Sequence, residues 1–265
     1  MKSDTIEIWF GLIVLLVVTG GAADEAPQPY RTPAGQRFVV ADAELGNTIY
    51  ETSFDEEAVL RDWRLEGGER MTVSDGNLTL ESHPADAGSD RSRDHLVCSL
   101  NREVPDNFLL EFSVRPQDRK TGLNIVFFNA RGVDGKPISD RGLKTRDGTF
   151  AQYHSGDLNS YHVSYWAGDR GTANLRKNHG FQLVATEKDE VAPGREETFQ
   201  TVRIYKRGGT IRITVDGVLS VAYDDNGESF GPVHNHTGWI GLRQMGHTQK
   251  CEYGYLKVYA MKVPG

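Results

Sequence analysis

One stretch, Phe150–Asn178, concentrates side chains able to do chemistry. It holds His154, His162, Tyr153, Tyr161, Tyr165, Trp166, Asn174, Arg176 and Lys177. Much of it alternates like a strand, so one face cannot hide every polar group. Burying such groups without partners costs several kcal/mol each. They therefore form either a satisfied polar network or a surface for a polar ligand. We take the second reading, with a sugar chain as the ligand.

These residue types suit β-elimination at a uronate. That reaction needs a cation or amide for the enolate-like carboxylate, a base for the C5 proton and an acid for the leaving oxygen. Arg243, Arg176 and Asn174 could supply the first, and His162, His247, Tyr153 and Tyr165 the others. Imidazole titrates near neutrality and suits base work. The expected catalytic set is His162, Tyr165, Arg243 and His247. The expected substrate-binding set is Tyr153, His154, Trp166, Asn174, Arg176, Glu111 and Gln244. A non-catalytic sugar-binding module would instead lean on Trp166, Tyr153 and Tyr161 as stacking platforms. Catalysis is preferred over binding alone.

Blander readings compete at each position. A lone strand histidine is more often structural, and His83, His95 and His236 are read so. His154 and His162 stand in denser polar company. Arg176 is a better site residue than Lys177, because a planar fork matches a carboxylate. Tyr161 and Tyr255 read as packed rings with satisfied hydroxyls. No H-E-x-x-H or cysteine cluster points to a metal. Asp224-Asp225-Asn226-Gly227-Glu228 offers oxygens to a structural Ca²⁺, although a solvated turn is the simpler reading. No glycine-rich loop leads from a strand into a helix, so no nucleotide cofactor is expected.

Strands must position these residues. Asn107–Arg115 alternates, with Leu110, Phe112 and Val114 facing one way and Leu109, Glu111, Ser113 and Arg115 the other. Leu123–Ala130 is apolar on both faces, as in a covered central strand. Asp75-Gly76 and Asp216-Gly217 mark hairpins, since type I′ turns need positive φ. Along Ser160–Trp166, alternation puts Ser160, His162, Ser164 and Trp166 on one face, and Tyr161, Val163 and Tyr165 on the other. Along Ile240–His247 it groups Arg243, Met245 and His247 against Ile240, Leu242 and Gln244. Gly132–Gly148 lacks a hydrophobic period and is too long for a simple turn. A short helix is expected over Glu56–Asp62. The remainder is a dozen or so strands at sandwich-like spacing.

Composition agrees. The chain has 265 residues, 29 of them glycine, with 10 tyrosines and 11 phenylalanines. That favours strands joined by tight turns. The net charge of -7 speaks against wholesale nucleic-acid or membrane-surface binding. Between Arg141 and Gly180, however, six Lys/Arg and three His face three acids, a local excess suited to an anionic ligand. Cys98 and Cys251 are too few for a disulfide scaffold, and pairing would require two distant strands to meet. Residues 8–18 form a short apolar run followed by Gly20–Ala23. Residues 1–23 thus read as a signal peptide or N-terminal anchor, 24–45 as a flexible leader, and 46–265 as one domain exported to a bacterial periplasm or the medium.

Longer strings carry a resemblance. W-x-x-E-G followed by D-G-N-L-T-L resembles the start of many concanavalin A-like two-sheet jelly rolls. V-F-F-N-A-R-G, Q-Y-H-S-G-D-L-N-S-Y-H-V-S-Y, N-L-R-K-N-H-G-F and I-G-L-R-Q-M resemble the YesU-like family, domain of unknown function 1961, over roughly 50–258. The resemblance implies an all-β concanavalin A-like sandwich and a bacterial setting near the breakdown of pectin-type chains, but no mechanism. Glycoside hydrolysis is the remaining alternative and usually needs two carboxylates. Laminarinase-like members of this fold carry them as E-x-D-x-x-E. The nearest string here, Glu187-Lys188-Asp189-Glu190, lacks that spacing, which leaves Glu111 with Asp157.

Overall fold

The computed structural model describes residues 35–82, 95–117, 122–167, 170–191 and 198–262. The expected signal segment and the first part of the leader lie outside the described residues, as does the loop read at 83–93. Fifteen strands follow in chain order: β1 Leu45–Thr52, β2 Trp63–Gly67, β3 Arg70–Ser74, β4 Asn77–Glu81 and β5 Leu96–Leu100. Then come β6 Phe108–Pro116, β7 Asn124–Gly132, β8 Leu158–Tyr165, β9 Thr172–Asn178 and β10 Gln182–Lys188. The last five are β11 Gln200–Arg207, β12 Thr210–Val215, β13 Val218–Asp224, β14 Trp239–Gln244 and β15 Lys250–Met261. The only α-helical turn among the described residues is α1, Ala151–His154. The helix expected at 56–62 is a 3-10 turn, Glu57–Asp62.

The strands form two antiparallel sheets, as the jelly-roll reading requires. One has eight strands, in the order β13-β12-β11-β6-β15-β4-β3 with β1 also on β15. The other has seven, in the order β10-β9-β8-β7-β14-β5-β2. The main core lies between them. Phe108, Leu110, Phe112 and Val114 of β6 meet Val126 and Phe128 of β7 and Tyr161, Val163 and Tyr165 of β8. Both expected hairpins form on left-handed residues, with Asp75 at φ 51 and Asp216 at φ 49, each followed by a glycine. Cys98 and Cys251 are both free and buried; they lie on different sheets, and each sulfur has a neighbour of its own, Met71 and Asn124.

Two segments depart from expectation. Residues 36–45 dock on the eight-stranded sheet instead of trailing as a leader. Leu219 N–H donates to the Gln36 carbonyl at 2.7 Å, and the Phe38 ring packs edge-on to Tyr205 at 5.3 Å. The long connection between β7 and β8 is not a free loop either. Ile138, Leu143 and Phe150 lie on Val97, Ile125, Phe127, Tyr153 and Leu158, making a second apolar cluster on the outer face of the seven-stranded sheet. That explains the unbroken apolar run of β7, because both of its faces are covered. Fully burying a side chain such as Phe127 contributes about 1.5–3 kcal/mol. A clamp completes the attachment. Glu66 accepts two bonds from Arg146, at 3.0 and 3.1 Å, and one from the Tyr153 hydroxyl at 2.7 Å.

Candidate functional site

The outer face of the seven-stranded sheet gathers the chemistry. In register, His162 of β8 stands between Arg176 of β9 and Phe127 of β7. One row along, Ser164 stands between Asn174 and Ile125, and Ile125 in turn faces Arg243 of β14. The face predicted for His162, and for Arg243 with Met245, is therefore a single face. It divides into a covered half and an open half.

The covered half lies beneath Phe150. His162 is sealed, with ring centroids 5.3 Å from Phe127, 5.9 Å from Phe150 and 5.7 Å from Phe181. Asn178 donates its side-chain amide to His162 Nδ1 at 2.9 Å. Burial first, then Arg176 and Arg243, hold the imidazole well below its usual range, so it is neutral. Arg243 is 0 % exposed. It donates to the Gly148 carbonyl at 2.9 Å and lies 4.3 Å from the Phe150 ring centre. Burial lowers its pKa to about 9. The expectation that His162 and Arg243 meet a ligand directly is corrected: they share a face, but aromatic rings close over them.

The open half lies over β8, β9 and β10. Arg176 is half-buried; its guanidinium lies 3.9 Å from the centre of the Phe181 ring and donates to the Phe181 carbonyl at 2.8 Å. No ion pair to a described carboxylate holds it. Burial and its neighbour Arg170 both lower its pKa. Arg170 bonds the Ser164 hydroxyl at 2.8 Å and the Thr172 carbonyl at 3.0 Å. Asn174 accepts from Thr186 at 2.7 Å beside them. His154, half-buried at the end of α1, packs 4.3 Å from the Phe181 ring and 4.5 Å from Phe150. Its Nδ1 is 2.6 Å from the Ser155 hydroxyl, which leaves Nε2 as the nitrogen for a ligand. Burial, followed by Arg243 and Arg176, pushes its pKa down, so the ring is neutral at pH 7. The open half thus offers Arg176, with no acid partner among the described residues, next to a neutral imidazole, while Arg170 feels the buried carboxylate of Asp189. Such a field favours a carboxylate-bearing ligand and a proton acceptor beside it.

Other predicted residues fall elsewhere. Tyr165 faces the main core, 6.4 Å from Phe112. Trp166 is left-handed at φ 51, which breaks the alternation and turns its ring into the same core. Gly122 lies beneath that ring, where a Cβ would stand 2.0 Å from Trp166. Gln244 is buried and donates to Ser82 and to the Gln249 carbonyl, each at 2.8 Å. Tyr153 is buried in the Glu66 clamp, and burial together with that carboxylate raises its hydroxyl pKa far above the usual value. His247 lies in a 3-10 turn, Gly246–Thr248, beyond the end of β14. Glu111 is on the outer face of the other sheet, bound by Arg203 at 2.5 Å and by the Tyr255 hydroxyl at 3.1 Å.

The carboxylate strings are likewise spent. Asp189 is buried and accepts the amides of Ala167 and Val191, and Asp157 accepts the Lys144 amide. The loop considered for Ca²⁺ uses its oxygens internally: Asp224 pairs with Arg212, and Asp225 with Lys177 at 2.7 Å and the Tyr161 hydroxyl at 2.5 Å. Pattern reading missed Phe181, the platform shared by His154 and Arg176. Its local signals are its place after His179-Gly180, at the mouth of a strand, and its position at the end of the N-L-R-K-N-H-G-F string. Arg170 is one of the six basic residues between Arg141 and Gly180 but is not among the expected site residues.

Comparison with known proteins agrees with this architecture. The family model described as Domain of unknown function (DUF1961) matches residues 47–258. The uncharacterized protein YesU of Bacillus subtilis (strain 168) is 32% identical over 207 residues, covering 76% of this chain and 90% of that one. A crystal structure of a Bacillus subtilis protein of unknown function with a galectin-like fold superposes with a TM-score of 0.75 at 30% identity, over 83% of this chain and 99% of that one. The endo-β-1,3-glucanase of Pyrococcus furiosus shares the fold, with a TM-score of 0.60 at 13% identity over 85% and 98% of the two chains.

Proposed function

The chain belongs to the DUF1961 family, and from that premise we propose that it binds an acidic, pectin-like oligosaccharide on the open half of the seven-stranded sheet. One observation carries this reading: Arg176 is half-buried, points its guanidinium along the Phe181 ring and meets no described carboxylate. Taking a guanidinium partly out of water without a counter-charge is costly, and a ligand carboxylate removes that cost. Phe181 and His154 add ring faces suited to the apolar face of a sugar. The fold shared with a glucanase is consistent with a saccharide, and the arginine side chains select an anionic one.

His154 favours elimination as the accompanying reaction. Its neutral Nε2 would take the C5 proton of a uronate whose carboxylate is held by Arg176. The C–H electrons form the C4=C5 double bond, the C4–O bond breaks, and the leaving oxygen takes a proton from water or from His154 itself. A two-carboxylate hydrolase is disfavoured, because the carboxylates described near this face are already engaged. Export, read from the apolar run at 8–18, belongs to the same proposal and is tested by fractionating the producing cell.

Calorimetry with digalacturonate and with a neutral disaccharide tests the binding. Tight binding of the uronate alone, lost in Arg176→Met, supports the proposal. Equal binding of the neutral sugar, or an unaffected Arg176→Met, overturns it. For the chemistry, an unsaturated ultraviolet-absorbing product should form with wild type and vanish in His154→Gln, with uronate binding weakened less than in Arg176→Met. The rate should fall as acid protonates His154. Binding without that product limits the function to recognition.

A further inference from the structure

A second basic cleft adjoins the first site along the same face. Arg64 of β2 and the segment Ile138–Arg146 enclose about 430 Å³. Its lining carries four cations, Arg64, Arg141, Lys144 and Arg146, against one acid, Asp140, on a protein of net charge -7. Glu66 serves Arg146 and Arg64 together, at 3.0 and 3.3 Å. Asp140 turns one oxygen to the Gly142 amide at 2.7 Å. Lys144 is 85% exposed and stands 3.7 Å from Asp157, a loose contact of little energetic weight. Arg141 is exposed and has no ion pair among the described residues. Positive charge is therefore in surplus here as well.

The two sites are linked through neighbouring residues. A smaller cleft of about 260 Å³, lined by Gln152, Ser155, Gly156 and one acid, Asp157, shares Lys144 and Arg146 with the larger one. Ser155 bonds His154, His154 packs on Phe181, and Arg176 lies on the same ring. From β2 to β9 the path crosses five strand spacings, about 24 Å at ~4.8 Å each. That exceeds what one or two sugar rings need. We propose that the basic cleft of Arg64, Arg141 and Lys144 is a second subsite, so that the ligand is a linear polyuronate of several rings lying across the sheet. This inference rests on the Arg176 site described above and extends it.

Two linked contacts make the second binding event intramolecular, which strengthens binding without any new chemistry at the first. Calorimetry with galacturonate chains from the dimer upward tests this, using wild type and the double variant Arg141→Ala, Lys144→Ala. Wild type should bind the long chain at least about tenfold more tightly than the dimer. The double variant should bind the dimer as wild type does and lose the gain with length. Dimer binding with no gain, or a gain kept by the double variant, overturns the second subsite and leaves the first standing. Failure of wild type to bind any uronate sinks the parent reading and this one with it.

Discussion

The two outer faces of this sandwich treat charge differently. On the eight-stranded sheet, a row in register runs Arg203, Glu111, Lys257, Glu51. Each cation there has an acid, at 2.5 Å for Arg203 with Glu111 and 2.6 Å for Lys257 with Glu51. Arg115 and Glu252 repeat the arrangement at 2.6 Å. On the seven-stranded sheet, Arg176 and Arg243 find carbonyls and rings instead of carboxylates. A face whose charges are already paired gains little from an anion. A half-buried cation such as Arg176, with no described carboxylate beside it, gains a great deal. Opposite-sign cross-strand pairs are the ordinary way to finish an exposed sheet, so the lack of one at Arg176 marks the open half of the second face.

The largest expected effect tests what holds the covered half shut. Glu66→Ala would leave Arg146 buried without its acid, which should cost about 3–5 kcal/mol in urea unfolding. A loss below about 1 kcal/mol would show that the β7–β8 connection is held by apolar contact alone. Next comes Arg176→Met. It removes a charge-assisted contact, so affinity for a uronate should fall by about 1.5–3 kcal/mol, roughly 10- to 150-fold. Stability should stay within about 1 kcal/mol, since no ion pair is broken.

These contrasts were only partly legible in the sequence. The alternation of β6 separated Phe112 from Glu111 correctly, because a regular strand obeys period two. The same rule sorted His162 from Tyr165, then failed one residue later, when Trp166 took a left-handed conformation at φ 51. No local pattern announced that turn. The Glu66–Arg146 clamp and the Lys177–Asp225 pair were invisible for another reason. Their partners are far apart along the chain, and either charge alone reads as a solvated side chain. The same blindness made the connection between β7 and β8 look like an open loop. Ile138, Leu143 and Phe150 have no periodicity, yet each lands on the sheet.

A smaller effect separates the faces by pH. His162 is buried and neutral, with its folded pKa held below the unfolded value of about 6.5. Between those two values the unfolded chain binds the extra proton. Its contribution to stability is therefore full above about pH 6.5 and is lost as pH falls toward the folded pKa. His162→Gln should flatten the acid limb of a urea-midpoint profile; an unchanged limb would place the titration elsewhere. The smallest effect belongs to the finished face. Glu111→Gln breaks a part-exposed pair and should cost 1 kcal/mol or less, about the ceiling for such pairs, with no change in uronate binding by calorimetry. A large loss of binding there would exchange the roles of the two faces.

The most direct measurement follows the guanidinium itself. Nitrogen-15 spectra of the arginine Nε–H groups, assigned with Arg176→Met and Arg203→Lys, can be recorded while digalacturonate is added. The Arg176 signal should shift and saturate, Arg203 should stay fixed, and a neutral disaccharide should move neither. An Arg176 signal that ignores the uronate, or that answers the neutral sugar equally, would contradict the claim that this unpaired cation awaits a carboxylate.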